Sequence, residues 1–335
     1  MDRSGVDRGP YVFLSYASAD RERALRIADL LEAAVGRRFR HELAAELRER
    51  LEDELRPHLP ALGAGSAEPL RLSKERLNEL ARCEGLFDSS LRQEGRPFEH
   101  NEASAAGTLS HRSIELDVAV AEDVPAALLA SRAAEKLQRD RRFGPYWQGL
   151  DEVERAELRM RAVRSLEQFR ASFPPVREWR RALAPVTELW LEARLGEGAV
   201  RMLGKVDLLL NAVRAGRSTR VLIDLKGGRW FPDHAEDMRL YALLFTLRTG
   251  TPPLRVATFF LSSGEWQPEE VTEELLVHAC GRVVAAVRRA ARLREGDGPA
   301  LRPGPWCVRC PRMEMCPAFA AAAARSGTAP EEASP

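Results

Sequence analysis

Several features that would place a chain in a familiar class are missing from these 335 residues. No apolar run approaches the roughly 20 residues that a membrane-spanning helix needs. The opening residues, MDRSGVDRGP, lack the apolar stretch of a secretory signal peptide, so we expect a soluble protein of the cytoplasm without a membrane partner. The formal net charge is only +1, which excludes a chain that wraps nucleic acid over its whole surface.

Lysine is also scarce, because nearly all positive charge is arginine. It occurs at only four positions, and Lys205 and Lys226 flank a single apolar stretch at residues 204–228, GKVDLLLNAVRAGRSTRVLIDLKGG. Within it, a run typical of a buried strand ends in Asp224 and Lys226, which point to the same side of an extended chain. Charged groups leave water at a high cost, so these two residues need a functional explanation.

The sequence predicts three regions. Residues 1–66 read as a short N-terminal unit followed by a charged helical linker, residues 67–320 as the main domain, and residues 321–335 as a disordered tail. In the main domain, helical patterns dominate to about residue 182 and are followed by strands that alternate with helices. We predict strands at 186–195, 201–213, 219–228 and 254–263, and helices at 234–250 and 268–295. This order predicts an α/β fold.

The strand pair carries the candidate chemistry. If residues 206–213 and 220–226 form a hairpin, Asp207 and Asp224 fall near one end of the sheet, with Lys226 on the same face as Asp224. Two carboxylates suit a hard cation such as Mg²⁺, and the lysine would orient an attacking water or neutralise charge that develops on a phosphate. The alternative is a strand-end salt bridge with exposed aspartates.

Two further residues complete a family pattern. His111 lies on a predicted helix in GTLSHRSIEL, and Tyr241 lies on the helix that follows the lysine strand. A helical His, then G-x-x-D, then D-x-K, then a Tyr-bearing helix resembles the RecB-like branch of the PD-(D/E)XK nucleases over roughly residues 70–320. For His111 alone, the alternative is an ordinary helix histidine.

The resemblance implies a restriction-endonuclease-like core, in which helices flank a central mixed sheet, with helical insertions. It implies that His111, Asp207 and Asp224 bind Mg²⁺ or Mn²⁺, that Lys226 assists phosphodiester hydrolysis, and that Tyr241 supports the site. The implied substrate is DNA, at ends or in single strands, in repair, recombination or defence against foreign DNA. One departure is Asp237, which replaces the usual Gln of the tyrosine helix and which repels phosphate. A DNA-binding module with weak catalysis is therefore the alternative.

The cysteines indicate a second metal site. Cys307, Cys310 and Cys316 follow C-x2-C-x5-C spacing, and Cys83 lies far upstream. Clustered thiols without a secretory signal favour a metal site over disulfides, and zinc accepts four thiolates. This split arrangement, with one Cys before the core and three after it, resembles that of the iron–sulfur RecB-like nucleases, including CRISPR-associated exonucleases and the AddB nuclease domain. That resemblance implies a [4Fe–4S] cluster that staples the C-terminal segment, with structural Zn²⁺ as the alternative. We expect Cys280 to be a core residue.

The N-terminal stretch YVFLSYASADRERALRIADLLEAA, residues 11–34, resembles the opening strand, loop and helix of a TIR domain. Only this first unit is present, because a complete TIR fold needs roughly 130 residues and residues 35–66 read as charged helix and linker. The sequence therefore does not predict NAD cleavage. A truncated fusion, a remnant, a docking element for a protein partner in a defence pathway, and chance similarity all stay open.

Overall fold

A computed structural model describes residues 39–62, 68–95, 97–173, 176, 180–214 and 217–326. The helices are α1 (Leu43–Leu55), α2 (Lys74–Arg82), α3 (Glu84–Leu91), α4 (Glu102–Ala119), α5 (Ala126–Leu137), α6 (Phe143–Gly149), α7 (Glu152–Ser172), α8 (Arg180–Leu183), α9 (Pro232–Thr249), α10 (Glu273–Arg294) and α11 (Pro317–Ser326). The strands are β1 (Leu70–Leu72), β2 (Val186–Leu195), β3 (Val200–Arg214), β4 (Arg217–Lys226), β5 (Arg255–Phe260) and β6 (Glu265–Glu270). In the part of the chain described, no helix is long and apolar enough to cross a bilayer.

The six strands form one mixed sheet in the order β1, β3, β4, β5, β6, and β2 pairs with the other edge of β3. β1 and β3 are parallel, as are β4 and β5, whereas the remaining pairs are antiparallel. Helices α1, α2, α9 and α10 bury their apolar residues against one face. Helices α4, α5 and α7 cover the other face. The predicted mixed sheet flanked by helices is therefore confirmed.

The long strand β3 changes partner part-way along one edge. It pairs with β1 over residues 200–202 and with β4 over residues 208–214, so residues 203–207 lie between the two ladders. The alternation of strand faces also breaks there, since Val206 and Leu209 pack in one core while Leu208 packs in the opposite core. The predicted hairpin between β3 and β4 is present, and its ladder stops one residue short of Asp207. Residues 203–207 therefore leave this edge of β3 open at the predicted site. We call this opening between the two ladders the gap in β3.

Two sequence predictions need correction in this fold. The stretch predicted as a charged linker contains α1, whose Leu47 and Leu51 are buried in the same core as the sheet, so the main domain begins well before residue 67. The helix predicted over 268–295 begins only at Glu273, because residues 265–270 form the edge strand β6 paired with β5. The β6 sequence EWQPEE has no apolar alternation, so only its partner strand identifies it.

The chain ends also differ from the prediction. The tail predicted as disordered from residue 321 begins inside α11, which continues to Ser326 because its alanine run has the highest intrinsic helix propensity. Residues 327–335 lie outside the described residues. So does the TIR-like stretch at residues 11–34.

Candidate functional site

Three acidic residues stand side by side on three neighbouring strands. In the β2–β3 ladder the pairs Thr187–Leu208 and Leu189–Val206 place Glu188 opposite Asp207. In the β3–β4 ladder the last pair is Leu208–Ile223, so Asp224 follows opposite Asp207 on the other side. The sheet register therefore aligns one carboxylate from each strand at the gap in β3.

Asp207 connects the sheet to helix α4. Its Oδ1 lies 3.2 Å from Nδ1 of His111, and its Oδ2 accepts a hydrogen bond of 2.7 Å from the backbone N–H of Leu225. Burial opposes charge on the imidazole, but Asp207 more than offsets it and raises the pKa of His111. Burial likewise opposes charge on the carboxyl, but His111 and the Leu225 N–H hold the pKa of Asp207 below its usual range. A protonated His111 and an ionised Asp207 therefore stabilise each other.

Asp224 lies between two ammonium groups. Its Oδ2 is 2.6 Å from Nζ of Lys226, and its Oδ1 is 3.6 Å from Nζ of Lys74. The Asp224 side chain is 3 % exposed, and its Oδ2 accepts no hydrogen bond of normal geometry within the described residues. Asp224 therefore holds Lys226 at the site and keeps an oxygen with capacity for a further partner.

Lys74 is a site residue that the sequence reasoning missed. It is the second residue after β1, and the parallel pairing of β1 with β3 brings it beneath the gap. Its Nζ lies 3.4 Å from Asp237 Oδ2 and 5.3 Å from the centre of the Tyr241 ring. Burial alone would lower the pKa of Lys74, but the neighbouring carboxylates of Asp224 and Asp237 raise it well above its usual range. Lys74 is therefore a partly buried cation, with its side chain 19 % exposed.

Asp237 does not present its charge to solvent. It is buried, pairs with Lys74, and accepts a 2.8 Å hydrogen bond from Nδ2 of Asn78. Burial raises the pKa of Asp237, and Lys74 opposes that change. The repulsion of phosphate predicted for this position is therefore compensated by a cation from a distant part of the chain.

Tyr241 lies behind the site. Its side chain is 2 % exposed, and burial raises the pKa of its hydroxyl above the usual range. A Cβ at Gly204 would lie 2.8 Å from Tyr241 Cε1, so the glycine of the G-x-x-D motif lets the ring pack directly on β3. Tyr241 therefore supports β3 and Lys74 from the buried side.

The residues at the gap satisfy the requirements of a small cation. Donor atoms of His111, Glu188 and Asp207 all lie within 4.8 Å of one another. The same three residues, with Glu115, line a cavity of about 10 Å³. That volume matches one water molecule or one ion, and two carboxylates with an imidazole suit Mg²⁺ or Mn²⁺. Glu188 was not predicted, because only the β2–β3 register places it opposite Asp207.

The four predicted cysteine ligands lie around one cavity. Cys83, Cys307, Cys310 and Cys316 all line a volume of about 400 Å³, although Cys83 is more than 200 positions from the others. Cys83 separates α2 from α3, and its Sγ accepts a 3.4 Å contact from the N–H of Arg302. Burial raises the pKa of Cys310, and the three neighbouring thiols act in the same direction. Cys280 is buried in the main core instead, as predicted.

These sulfurs are spaced differently from the ligands of a bound zinc ion. A zinc ion bound to thiolates at about 2.3 Å holds its sulfurs about 3.8 Å apart. Among the described residues, no three of these sulfurs lie within 4.8 Å of one another. Arg312 connects the segment to α3, with its Nη1 2.7 Å from Asp88 Oδ2. The wall of the cavity therefore includes residues from the N-terminal and the C-terminal parts of the domain.

Comparisons with known proteins identify the fold family. The model of the PD-(D/E)XK nuclease superfamily matches residues 71–317. A solved structure from Eubacterium rectale, described as a "Putative exonuclease", is 12 % identical with a TM-score of 0.43, and the match covers 79 % of this chain and 91 % of that one. The solved structure of SSO0001 is 13 % identical with a TM-score of 0.32, and the match covers 81 % and 97 %. No curated protein matches this chain.

Proposed function

Because this chain belongs to the PD-(D/E)XK nuclease superfamily, we propose that it is a divalent-metal-dependent DNA nuclease that hydrolyses phosphodiester bonds. One observation carries the proposal: the His111–Asp207 pair and the Asp224–Lys226 pair meet at the gap in β3. The biological role proposed is DNA repair, recombination or defence against foreign DNA.

His111, Asp207 and Asp224 are the proposed cation ligands. Asp207 contributes Oδ1 beside His111, while its Oδ2 stays fixed by the Leu225 N–H. Asp224 contributes a carboxylate oxygen, although its Oδ2 also forms the ion pair with Lys226. When bound, Mg²⁺ or Mn²⁺ supplies positive charge that activates water and stabilises the phosphate in the transition state. A protonated His111 must release its proton before its ring nitrogen binds a cation, so binding is expected to weaken at low pH.

Lys226 is the proposed electrostatic catalyst. Its side chain is about one quarter exposed, and Asp224 fixes its ammonium group 2.6 Å away. A fixed positive charge beside the phosphate stabilises the extra negative charge of the transition state without reorganising solvent. Lys74 provides the second positive charge behind Asp224, with its Nζ 3.6 Å from Asp224 Oδ1.

Unpaired DNA is the proposed substrate, at ends or in single strands. Directly after Lys226, the loop to α9 exposes Trp230 and Phe231 to 49 % and 46 %. Arg229 lies over the Phe231 ring, with its Cζ 5.1 Å from the ring centre. Exposed aromatic rings beside a cation suit bases that are free to stack, as in proteins that bind single strands.

The first test is digestion of labelled oligonucleotides with Mg²⁺ or Mn²⁺ and with EDTA. We expect cation-dependent cleavage by the wild-type protein and loss of cleavage in Asp224→Asn, because the variant removes a ligand charge and releases Lys226. The circular dichroism of the variant serves as the folding control. DNA binding without cleavage by the wild-type protein would favour the alternative of a DNA-binding module, and cleavage by Asp224→Asn at the wild-type rate would exclude this site.

For the cysteine cavity, a [4Fe–4S] cluster is the proposed occupant, with structural Zn²⁺ as the alternative. Four thiolates suit both groups, but a cavity of about 400 Å³ and widely spaced sulfurs favour the larger one. The contacts from Arg302 N–H to Cys83 and from Gly304 N–H to Cys307 resemble the hydrogen bonds that tune cluster sulfurs. The group would hold residues 301–317 against α2 and α3.

Anaerobically purified protein is expected to be brown, with a broad absorption band near ~400 nm. Cys310→Ser is expected to lose this band and the bound iron, because it removes one of four ligands. Cys280→Ala is the matched control, since Cys280 lies in the main core and should leave iron content unchanged. A colourless wild-type protein with one zinc per chain would favour the zinc alternative.

A further inference from the structure

We propose that Glu188 is a further protein ligand of the catalytic cation, held by Lys205 when no cation is bound. This inference rests on the proposed function, because it adds a ligand to the same site. The resemblance to the nuclease family gave His111 and two aspartates as ligands and provided no role for Glu188.

Geometry distinguishes Glu188 from the other acidic residues of the surface. Its carboxylate, the Asp207 carboxylate and the His111 ring nitrogens supply the one set of three metal-binding atoms within 4.8 Å of one another in the described part of the chain. Asp224 does not belong to that set. Since coordination at about 2.0–2.2 Å requires ligand atoms about 3 Å apart, Glu188 needs less movement than Asp224 to join His111 and Asp207.

A cavity of the right size is an independent observation. About 10 Å³ of free space lies between α4 and strands β2 to β4, with Glu188 and Asp207 in its wall. Space of this size holds one water-sized particle, and a particle there contacts two carboxylates and an imidazole. Glu115 also lines the cavity but pairs with Nη1 of Arg112, three residues before it on α4.

The backbone of β2 is adapted to this position. Glu188 has a φ of +54°, in the left-handed region that non-glycine residues seldom adopt. Such a conformation is unfavourable and persists only where the surrounding structure requires it. Here the flanking residues keep their places in the ladder, with Thr187 opposite Leu208 and Leu189 opposite Val206.

Lys205 is the natural competitor of the cation. It lies on β3 two residues before Asp207, and its Nζ forms an ion pair with Glu188 Oε2. A divalent cation that binds Glu188 must displace this ammonium group or share the carboxylate with it. Removing the ammonium group should therefore strengthen cation binding, and if Glu188 is a ligand this gain should depend on the Glu188 carboxylate.

The test measures Mn²⁺ affinity by calorimetry or electron paramagnetic resonance in the absence of DNA. Glu188→Gln is expected to weaken Mn²⁺ binding at least ~10-fold, the low end of the losses seen when even outer partners of metal ligands are removed. Glu192→Gln, the matched control on the same strand, should stay within ~2-fold of wild type, because Glu192 pairs with Arg201 and does not line the cavity. Lys205→Met should bind Mn²⁺ more tightly, and this gain should vanish in the Glu188→Gln/Lys205→Met double variant.

Two results would overturn the assignment of Glu188. One is wild-type Mn²⁺ affinity in Glu188→Gln, and the other is an equal gain from Lys205→Met with and without the Glu188 carboxylate. Asp207→Asn separates this failure from failure of the proposed function. If Asp207→Asn abolishes Mn²⁺ binding while Glu188→Gln does not change it, only the added ligand is wrong. If neither change affects Mn²⁺ binding, the catalytic site itself is wrong.

Discussion

Lys226→Met is expected to lower the rate of DNA cleavage by about 10²- to 10³-fold, the usual loss when one fixed charge-stabilising donor is removed. Methionine keeps the length of the side chain but leaves nothing to balance the charge that develops on the phosphate. The loss should appear in kcat, because Lys226 is proposed to act on the transition state, and Asp224 fixes its ammonium group in the free protein. Single-turnover cleavage at saturating Mg²⁺ measures this loss of rate.

Lys136→Met provides the matched control for this change. Lys136 is exposed on α5, away from the sheet, so its loss should leave cleavage at the wild-type rate. A Lys226→Met protein that cleaves within ~3-fold of wild type would remove Lys226 from the mechanism. Equal losses in both lysine variants would indicate a general effect of charge on DNA binding.

Lys74→Met is expected to destabilise the domain by about 3 kcal/mol, the low end of the range for removing one partner of a buried ion pair. The low end applies because Lys226 still neutralises Asp224 and Asn78 still donates to Asp237. For a domain of this size, that loss lowers the melting temperature by about 5 °C. Thermal unfolding, monitored by circular dichroism, measures this change in melting temperature.

A second variant identifies the cause of that loss. Combining Lys74→Met with Asp237→Asn removes both partners of one buried pair, so part of the lost stability should return. The Lys205→Met variant is the comparison, because its lysine forms a half-exposed pair whose loss costs about 1 kcal/mol or less. Equal melting temperatures for wild type and Lys74→Met would contradict the partly buried cation assigned to Lys74.

The sequence predicts the parts of this site that depend on local patterns. The apolar runs around Asp207 and Asp224 give the β3–β4 hairpin, and a period of two places Lys226 on the same side as Asp224. The helix of His111 also follows from its own pattern. These elements are long or strongly periodic, so local sequence determines them. The cysteine spacing is equally local for Cys307, Cys310 and Cys316.

The missed residues depend on contacts between distant parts of the chain. Lys74 follows the three-residue strand β1, whose partner residues in β3 lie about 130 positions later, and so short a strand has no readable period. Glu188 is ordinary in VTELWLEARL until the β2–β3 register places it opposite Asp207. The helical pattern of α1 is readable in the sequence, but its place in the core is not, because its buried stripe is a single leucine at every fourth position. Edge strand β6 is recognised from its pairing with β5, because its own sequence has no strand pattern.

The most direct test of the account measures Mn²⁺ occupancy and DNA cleavage on the same samples of wild type and Asp207→Asn. Asp207 binds His111, fixes the Leu225 N–H and lies between Glu188 and Asp224, so every proposed cation ligand adjoins it. The account predicts that wild-type cleavage rises in parallel with Mn²⁺ occupancy and that Asp207→Asn, while folded, loses both. Cleavage by wild type in EDTA, or by Asp207→Asn at the wild-type rate, would contradict it.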